Sequence, residues 1–315
     1  MKVCFVGVGS IARRHIRNLN RLSIKNGFAL TIDALRRRDS VACDELSYIS
    51  SVYTDIERLP NDYDVIFLTN PTQFHASYLV KLQHYTKHFF IEKPVATPDT
   101  VNILDLLDVK DDSVYYVACP LRYHQIIQYL KKNIKIDTVR SVRCICSSYL
   151  PEWRPGTDYK KSYSARKELG GGVSTDLIHE WDYLNYLFGM PKAVQSIIGK
   201  ISNLDISSDD IAVYIARYQK MTVELHLDYF GRKAIRTLEL ITDDDTILAD
   251  FLNGTLDYAV AGEHYDFSRV RDDYQLSELE HFITLVNMDN STKNERNGIE
   301  SAIKVLRLTQ GELSL

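Results

Sequence analysis

The sequence predicts an α/β protein whose N-terminal part is a doubly wound parallel sheet. Two observations lead to this prediction. Short apolar runs of the kind found in buried strands alternate with segments that have helical periodicity. The first of these runs, at 3–6, is followed by two closely spaced glycines and then by a helical pattern. The chain has 315 residues, which is enough for two domains with cores of their own.

The turn after the first strand carries the pattern G-x-G-x-x-A over residues 7–12. In this fingerprint the first glycine permits a tight turn, and the second lets a pyrophosphate approach the backbone. The helix that follows offers free N–H groups and the positive end of its dipole. A tight turn without a ligand is the alternative. The predicted coenzyme contacts of this turn are Gly7, Gly9, Ser10 and Ile11.

The second predicted strand, at 28–35, ends in a run of arginines. An enzyme that binds NAD usually has an acid at the end of this strand for the ribose hydroxyls, but Asp33 lies too early. A guanidinium can bind a 2′-phosphate through two hydrogen bonds, so the sequence favours NADP over NAD. A solvent-exposed basic loop is the alternative. The arginines are Arg36, Arg37 and Arg38, and the first two are predicted coenzyme contacts.

Polar residues follow the next two predicted strands, at 63–71 and 87–94, which are separated by a predicted helix at 72–85. In doubly wound sheets the carboxyl ends of the strands face the ligand. A lysine at such an end is poorly explained by packing. The further predicted coenzyme contacts are Asn70, Pro71, His75, Glu92 and Lys93.

Composition excludes several classes of partner. The net charge is −4 and of mixed sign along the chain, which argues against binding to nucleic acid or an anionic membrane. No apolar run is long enough to span a membrane, and the chain begins as a buried strand rather than a signal peptide. The five cysteines lack framework spacing, so we expect reduced thiols in a cytoplasm. The Cys144-x-Cys146 pair has no second pair to complete a zinc site, and no metal is predicted.

Four motifs occur in a fixed order along the chain: G-x-G-x-x-A at 7–12, TNPTQFH at 69–75, EKP at 92–94 and GGG…D…H…D at 170–182. In this combination the sequence resembles the Gfo/Idh/MocA oxidoreductases, the group of glucose–fructose oxidoreductase and inositol dehydrogenase. The resemblance covers nearly the whole chain. It implies an N-terminal Rossmann domain and a C-terminal α+β domain with an open, mostly antiparallel sheet. It also implies NAD(P)-dependent oxidation or reduction of a sugar, a cyclitol or a related polyol.

The resemblance assigns the catalytic set to Lys93, Asp176 and His179, and it implies a cis peptide before Pro94. The LRYH segment at 121–124 resembles a family segment near the coenzyme, so Arg122 is either a coenzyme contact or a surface arginine. A homodimer or homotetramer built through the C-terminal sheet is also implied.

The domain boundary is predicted near residue 120, giving a coenzyme domain at 1–119 and a substrate and oligomerisation domain at 120–315. The second half contains predicted strands at 139–150, 212–218, 221–230 and 232–242, and a C-terminal helix at 301–315. The loop at 151–169 has little periodicity but many donors and aromatic rings, which suit a polyol. A subunit contact is the alternative role. Its candidate substrate contacts, beside the catalytic set, are Trp153, Arg154, Tyr163 and Arg166.

Three glycines, at 170–172, precede a predicted helix, and we expect the backbone there to pass close to a nicotinamide or a substrate. Ser174, Thr175 and Asp176 are predicted to cap this helix, which Gly189 and Pro191 end.

The spacing of the catalytic Asp and His departs from the family pattern. Relatives usually space them by four residues, whereas Asp176 and His179 are three apart. A one-residue deletion keeps His179 in its role, preserves its spacing to Asp182 and requires a short helical irregularity. A gapless alignment puts Glu180 there instead. We favour the deletion. The alternative without catalysis is that Asp176 caps the helix and His179 is a packed core residue.

These residues suggest hydride transfer between a nicotinamide and an alcohol carbon. His179 is the expected general acid and base, Lys93 the group that stabilises the alkoxide, and Asp176 the group that orients the substrate or His179. Two other functions stay open. One is an NAD(P)H sensor without turnover. The other is internal redox with a tightly held coenzyme, giving epimerisation or elimination of a sugar. The DLIHEWDY segment and the 151–169 loop suggest, by loose analogy, a sugar nucleotide or an acidic sugar.

Overall fold

The computed structural model describes residues 1–37, 44–110, 112–268, 272–288 and 297–311. The chain folds into two compact units. The first consists of Met1–Ala118 and Gln275–Ile303, and the second of Cys119–Tyr274 and Lys304–Leu315. We expected one boundary near residue 120, whereas the chain also returns to the first unit late in the sequence.

The first unit contains a six-stranded parallel sheet in the order β3-β2-β1-β4-β5-β6. The strand order reverses beside β1, which is the switch point where doubly wound sheets bind ligands. The predicted doubly wound sheet is therefore confirmed. Its elements are β1 (Lys2–Val6), α1 (Ser10–Asn26), β2 (Thr31–Leu35), β3 (Ser51–Tyr53), β4 (Tyr63–Leu68), α2 (His75–Leu82), β5 (Thr86–Ile91) and β6 (Val114–Val117).

The second unit contains an eight-stranded sheet in the order β14-β13-β12-β11-β7-β10-β9-β8. All neighbouring strands are antiparallel except β7 and β10, so the predicted open, mostly antiparallel sheet is confirmed. Strands β8 and β12 to β14 were not predicted. The elements from here to the end of the chain are α3 (Gln125–Asn133), β7 (Val139–Tyr149), α4 (Val173–Asp176), α5 (Ile178–Phe188), β8 (Ala193–Gly199), β9 (Ile211–Arg217), β10 (Thr222–Asp228), β11 (Phe230–Thr242), β12 (Thr246–Asp250), β13 (Thr255–Tyr258), β14 (His264–Asp266), α6 (Asp272–Asn287) and α7 (Ile299–Thr309).

Helix α6 explains why the first unit includes a late segment of the chain. Its buried apolar side chains, Leu279, Phe282 and Ile283, belong to the apolar core formed by α1 and the parallel sheet. The ring of Phe282 lies 6.0 Å from that of Phe67 and 5.1 Å from that of Phe90. Burial of such side chains is the dominant favourable contribution to folding, so this segment is fixed by the core of the first unit rather than by sequence proximity.

In the second unit, α5 packs on one face of the sheet. Trp181 meets Tyr214 edge to face at 5.2 Å, and the Tyr183 hydroxyl lies 2.9 Å from Cys144 Sγ. The opposite face is mixed, since it carries the ion pair of Arg143 with Glu239 but also exposed isoleucines. The alternation along β9 and β10, buried on one side and open on the other, is what a half-covered antiparallel sheet requires.

Four of the five cysteines lie among the described residues, and all four are buried free thiols; Cys43 lies outside them. In the described ranges, no three His, Cys, Asp or Glu side chains are grouped so as to hold a metal ion. Over the same residues, no helix combines the length and the apolar character needed to cross a bilayer.

Candidate functional site

The turn between β1 and α1 is tightened by its first glycine. Gly7 has a φ of 85°, and its N–H donates to Leu35 O at 2.8 Å. A Cβ at Gly7 would lie 3.0 Å from the Cα of Asn70, at the end of β4. Thr69 Oγ1 donates to Gly7 O at 2.7 Å from the same strand end. Only glycine combines this φ with so close a neighbouring backbone.

Gly9 differs from Gly7, because a Cβ there would meet nothing within 4 Å. It precedes the first turn of α1, and both Gly9 and Ser10 are exposed. At the neighbouring strand end, the side-chain oxygen of Asn70 is buried and has no hydrogen-bond partner in the protein. An open backbone at a helix N-terminus and an amide oxygen that lacks a donor both fit a dinucleotide, which carries phosphates and hydroxyls.

The end of β2 carries the arginines predicted to select the coenzyme. Asp33 lies within the strand, where its carboxylate accepts a hydrogen bond from the Tyr63 hydroxyl at 2.9 Å, and it is 4% exposed. This acid is thus part of the core. Arg36 is half-buried and Arg37 is exposed, directly after the strand. Arg38 lies outside the described residues.

The EKP motif follows β5 at the same edge of the sheet. The N–H of Glu92 donates to Leu68 O at 2.9 Å, and the Lys93–Pro94 peptide is cis, as the resemblance implied. His75 lies behind this segment, with Nδ1 2.8 Å from Pro94 O and Nε2 2.8 Å from Asn70 O. Burial lowers the pKa of His75, which is 1% exposed. Both nitrogens of this predicted coenzyme contact therefore face backbone carbonyls, and Pro71 beside it is exposed.

The carboxylate of Glu92 lies 2.6 Å from Nε2 of His15, a buried residue of α1. His15 was not among the site residues predicted from the sequence. The sequence pattern could have indicated it, because His15 lies next to Ile16 on the apolar face of an amphipathic helix. A polar side chain in such a place needs a partner.

The three glycines of the second unit pack against the protein itself. Gly170 and Gly172 have φ values of 88° and 142°. A Cβ at Gly171 would lie 2.1 Å from Tyr163 O, and one at Gly172 would lie 2.1 Å from Asp209 Oδ1. These contacts account for the glycines within the unit itself, and the expected approach of this backbone to a nicotinamide or a substrate stays a prediction. The close neighbours are the preceding loop and an aspartate.

Asp209 also caps α4. Its Oδ2 accepts the N–H of Ser174 at 2.8 Å, so the predicted capping by the side chains of Ser174, Thr175 and Asp176 is wrong. Helix α4 ends after four residues, and Leu177, with φ −92° and ψ 27°, separates it from α5. The short irregularity that the three-residue spacing requires is present at this point.

With the helix interrupted at Leu177, the side chain of Glu180 lies in the interior of the second unit. Its side chain is fully buried, and Arg236 Nε donates to its Oε1 at 2.7 Å. His179 and Asp176 are instead half-buried. The gapless alignment would therefore make Glu180 the catalytic group, although Arg236 holds its side chain in the core.

Asp176 accepts a hydrogen bond from the Tyr229 hydroxyl at 2.8 Å. Burial, followed by the charge of Asp176, raises the pKa of Tyr229, which stays a donor. Burial also raises the pKa of Asp209, and the nearby Asp176 charge adds to this. Tyr229 and Asp209 were not predicted. The sequence indicates Asp209 only weakly, as one of two adjacent acidic residues immediately before a strand.

The 151–169 loop folds into short 3₁₀ turns and is fixed at both ends. The Trp153 indole N–H donates to Ser148 Oγ at 2.8 Å, and its ring meets Tyr229 edge to face at 5.2 Å. The Tyr163 hydroxyl donates to Gly170 O at 2.7 Å. These two candidate substrate contacts therefore hold the loop against the Asp176 segment. The other two, Arg154 and Arg166, are exposed.

Arg122 is 5% exposed, so the prediction of a surface arginine is wrong. Its Nε donates to Asp182 Oδ2 at 2.9 Å and its Nη2 to Asp182 Oδ1 at 2.6 Å. Such two-point pairing is the strong geometry for a guanidinium and a carboxylate. It gives the last Asp of the GGG…D…H…D motif a structural partner.

Comparison with known proteins identifies both units. The family described as an oxidoreductase family with an NAD-binding Rossmann fold matches residues 1–118, and the GFO/IDH/MocA C-terminal domain matches residues 124–247. An uncharacterized oxidoreductase of Bacillus subtilis is 26% identical over 187 residues, which cover 58% of this chain and 52% of the relative. A 2,7-anhydro-N-acetylneuraminate hydratase of Escherichia coli is 26% identical over 144 residues, covering 44% of this chain and 38% of the relative.

Among solved structures, levoglucosan dehydrogenase in complex with NADH has a TM-score of 0.80 at 16% identity, and the match covers 99% of this chain and 95% of that one. The likeness at this identity concerns the fold. The matched region spans about half the length, or less, of the curated relatives. The two family matches together cover most of the chain, and they agree with the parallel sheet, the dinucleotide-type turn and the EKP motif described above. The chain therefore belongs to the Gfo/Idh/MocA family of oxidoreductases, with an NAD-binding Rossmann fold in its first unit.

Proposed function

We propose that this protein is an NAD(P)-dependent oxidoreductase that interconverts a hydroxyl and a carbonyl group of a sugar, a sugar derivative or a cyclitol. The observation that carries the proposal lies within the first unit. The open backbone at Gly9, the unpartnered amide oxygen of Asn70 and the segment of Lys93 follow β1, β4 and β5, three adjacent strands, at one sheet edge. A coenzyme bound there has a lysine beside it.

The nicotinamide supplies the hydride chemistry when it is bound. The side chains of the protein supply charge, orientation and a path for the proton. The ammonium of Lys93 donates a hydrogen bond to the substrate oxygen, on which negative charge develops. His179 takes the proton of the substrate hydroxyl, or returns it to the carbonyl oxygen, because imidazole titrates near neutral pH. Asp176, held by Tyr229, orients the substrate hydroxyl.

The first test measures coenzyme binding by nicotinamide fluorescence and turnover by absorbance, against a panel of polyols, sugars, acidic sugars and sugar nucleotides. Lys93→Met is expected to lower turnover at least about 10³-fold while coenzyme binds as before. The matched control is Lys87→Met, since Lys87 is an exposed lysine of the same strand, β5. Activity near that of the wild type in Lys93→Met would remove this lysine from the mechanism.

NADP is the proposed coenzyme, because Arg36 and Arg37 follow β2 and the acid of that strand is engaged by Tyr63. Replacing both arginines by alanine is expected to weaken NADPH binding about tenfold or more and to leave NADH binding within about twofold. Equal losses for the two coenzymes, or a tighter wild-type complex with NADH, would assign the protein to NAD.

Internal redox is the second candidate, because one relative is named as a hydratase rather than a dehydrogenase. It predicts that coenzyme stays with the protein through purification and is not consumed during turnover. A non-turnover sensor predicts tight coenzyme binding and no reaction with any member of the panel. The cytoplasmic location is part of the proposal and is supported by the four buried free thiols.

A homodimer or homotetramer is proposed through the outer face of the second sheet. Ile197 of β8 and Ile215 of β9 share this face and are 72% and 44% exposed. Ile197 pairs with Val213, two residues before Ile215, so the two isoleucines adjoin on this face, and adjoining exposed apolar side chains, unlike singly scattered ones, mark a protein contact. Ile197→Glu is expected to shift the sedimentation coefficient to that of a smaller species, and an unchanged coefficient would exclude this contact.

A further inference from the structure

The carboxylate of Asp176 belongs to a helix that is too short to fix it. Helix α4 has four residues, with Asp176 as the last, and Leu177 leaves the helical conformation directly after it. So short a helix has little stability of its own, because its first turn fixes several dihedral angles for few hydrogen bonds. The orientation of a carboxylate in this place therefore depends on groups outside the helix.

One such group is the hydroxyl of Tyr229, which donates to Asp176 Oδ2 at 2.8 Å. Tyr229 is 0% exposed and lies between β10 and β11. Its backbone N–H donates to Asp210 O at 3.0 Å, and its carbonyl oxygen accepts the N–H of Leu150 at 2.9 Å. The backbone of Tyr229 is thus fixed on both sides, and what remains to be fixed is the tilt of its ring.

Trp153 supplies a contact that fixes this ring. The indole meets the Tyr229 ring edge to face, with centroids 5.2 Å apart and planes at 89°. The indole is itself held, because its N–H donates to Ser148 Oγ at 2.8 Å and the backbone N–H of Trp153 donates to Leu150 O at 3.1 Å. An edge-to-face pair favours one relative orientation of the two rings. Ser148, Trp153, Tyr229 and Asp176 therefore form a continuous chain of contacts, which lies wholly within the second unit.

We propose that Trp153 is a positioning residue of this enzyme: its indole fixes the ring of Tyr229, whose hydroxyl fixes the carboxylate of Asp176. The inference rests on the proposed function, in which Asp176 orients the substrate hydroxyl. It deepens that function, because the packing of the 151–169 loop then sets the geometry of a catalytic acid. It also gives Trp153 a task other than the substrate contact predicted from the sequence.

The test without turnover is a double-mutant cycle on the unfolding of the whole chain in urea, followed by the fluorescence of Trp181, which every variant retains. The cycle combines Trp153→Leu, which removes the aromatic contact, with Asp176→Ala, which removes the acceptor of the Tyr229 hydroxyl. The two effects are expected to be coupled by about threefold or more in the equilibrium constant of unfolding, because members of one network couple. In the background of Tyr229→Phe, which lacks the hydroxyl, this coupling is expected to vanish. Additive effects with Tyr229 present, or the same coupling without its hydroxyl, overturn the proposal.

Tyr159→Phe is the matched control, because Tyr159 is an aromatic residue of the same loop whose hydroxyl accepts the N–H of Asp205 at 3.2 Å. It is expected to show no coupling to Asp176→Ala. Ser148→Ala replaces Trp153→Leu in the cycle if the latter fails to fold. It removes the acceptor of the indole N–H, and it is expected to couple to Asp176→Ala with the same sign and only when the Tyr229 hydroxyl is present. Additivity in that cycle overturns the proposal as well.

The kinetic test measures kcat/KM with the substrate found in the panel. Tyr229→Phe is expected to lower kcat/KM about tenfold or more, since it removes a hydrogen bond to a carboxylate, while coenzyme binds as before. Trp153→Leu is expected to lower kcat/KM about threefold or more, and Trp153→Phe, which keeps an aromatic ring against Tyr229, is expected to lower it less.

The double variant Trp153→Leu/Tyr229→Phe separates a positioning role from a direct contact. It is expected to match Tyr229→Phe, because Trp153 acts through the hydroxyl that this variant lacks. Losses that add in the double variant would show that Trp153 contacts the substrate directly, and would overturn the proposal. If the wild type turns over nothing in the panel, the proposed function fails, whereas the unfolding cycle still decides the role of Trp153.

Discussion

The buried pair of Glu180 and Arg236 gives the sharpest prediction, because it separates the two alignments of the catalytic histidine. The perturbation is Glu180→Leu. The Glu180 side chain is 0% exposed and that of Arg236 is 22% exposed, so the variant leaves a largely buried guanidinium without its counter-charge. We compare it with Glu180→Leu/Arg236→Met, which removes both charges, and with His179→Ala.

The magnitude follows from burial and contacts. Removing one partner of a buried pair costs about 3–5 kcal/mol, and the partial exposure of Arg236 puts the loss near the lower end. Replacing both partners by apolar side chains is often neutral or stabilising, so the double variant is expected within about 1 kcal/mol of the wild type. His179 is half-buried, and His179→Ala is expected to cost less than about 1 kcal/mol while turnover is lost.

The assay is urea unfolding followed by tryptophan fluorescence. The chain has two tryptophans, Trp153 and Trp181, and both belong to the second unit, so the signal reports that unit. Turnover is measured on the same samples. If Glu180→Leu is as stable as the wild type but inactive, and His179→Ala is active, Glu180 is the proton carrier and the deletion alignment is refuted.

Three further predictions concern the glycines and one acid. Gly9→Ala is expected to weaken coenzyme binding at least about tenfold without changing unfolding, since the added Cβ meets only the space assigned to the pyrophosphate; normal coenzyme affinity would refute that assignment. Gly172→Ala should destabilise the second unit by about 2 kcal/mol or more in urea, because it combines a φ of 142° with a clash at Asp209, and unchanged stability would contradict this packing. Burial raises the pKa of Asp228, but hydrogen bonds from His226 and other donors outweigh it and lower this pKa overall. The ionised Asp228 carboxylate therefore stabilises the folded state fully above its unfolded pKa of about 3.9, and this stabilisation is lost as pH falls through the lower folded pKa. Asp228→Asn should make the free energy of unfolding less dependent on pH in that acid range. The same pH dependence in variant and wild type would exclude a contribution of Asp228.

Local patterns in the sequence predicted much of the first unit. Strand β1, the turn at Gly7 and Gly9, and the apolar face of α1 depend on interactions between near neighbours, and they were found close to the predicted positions. Strand ends were less accurate: β2 begins at Thr31 rather than at 28, and α2 ends at Leu82 rather than at 85. Ends depend on hydrogen bonds to other segments, which periodicity does not show.

The chain alone determined the βα alternation, the Gly-rich turn and the order of the motifs, because each is a property of consecutive residues. Only the tertiary structure decided what those residues meet. It turned Glu180 toward Arg236, placed Asp209 over Gly172 and joined His15 to Glu92. Each of these partners is separated by dozens of residues in sequence, and their meeting depends on packed cores and strand order that no short stretch of sequence contains.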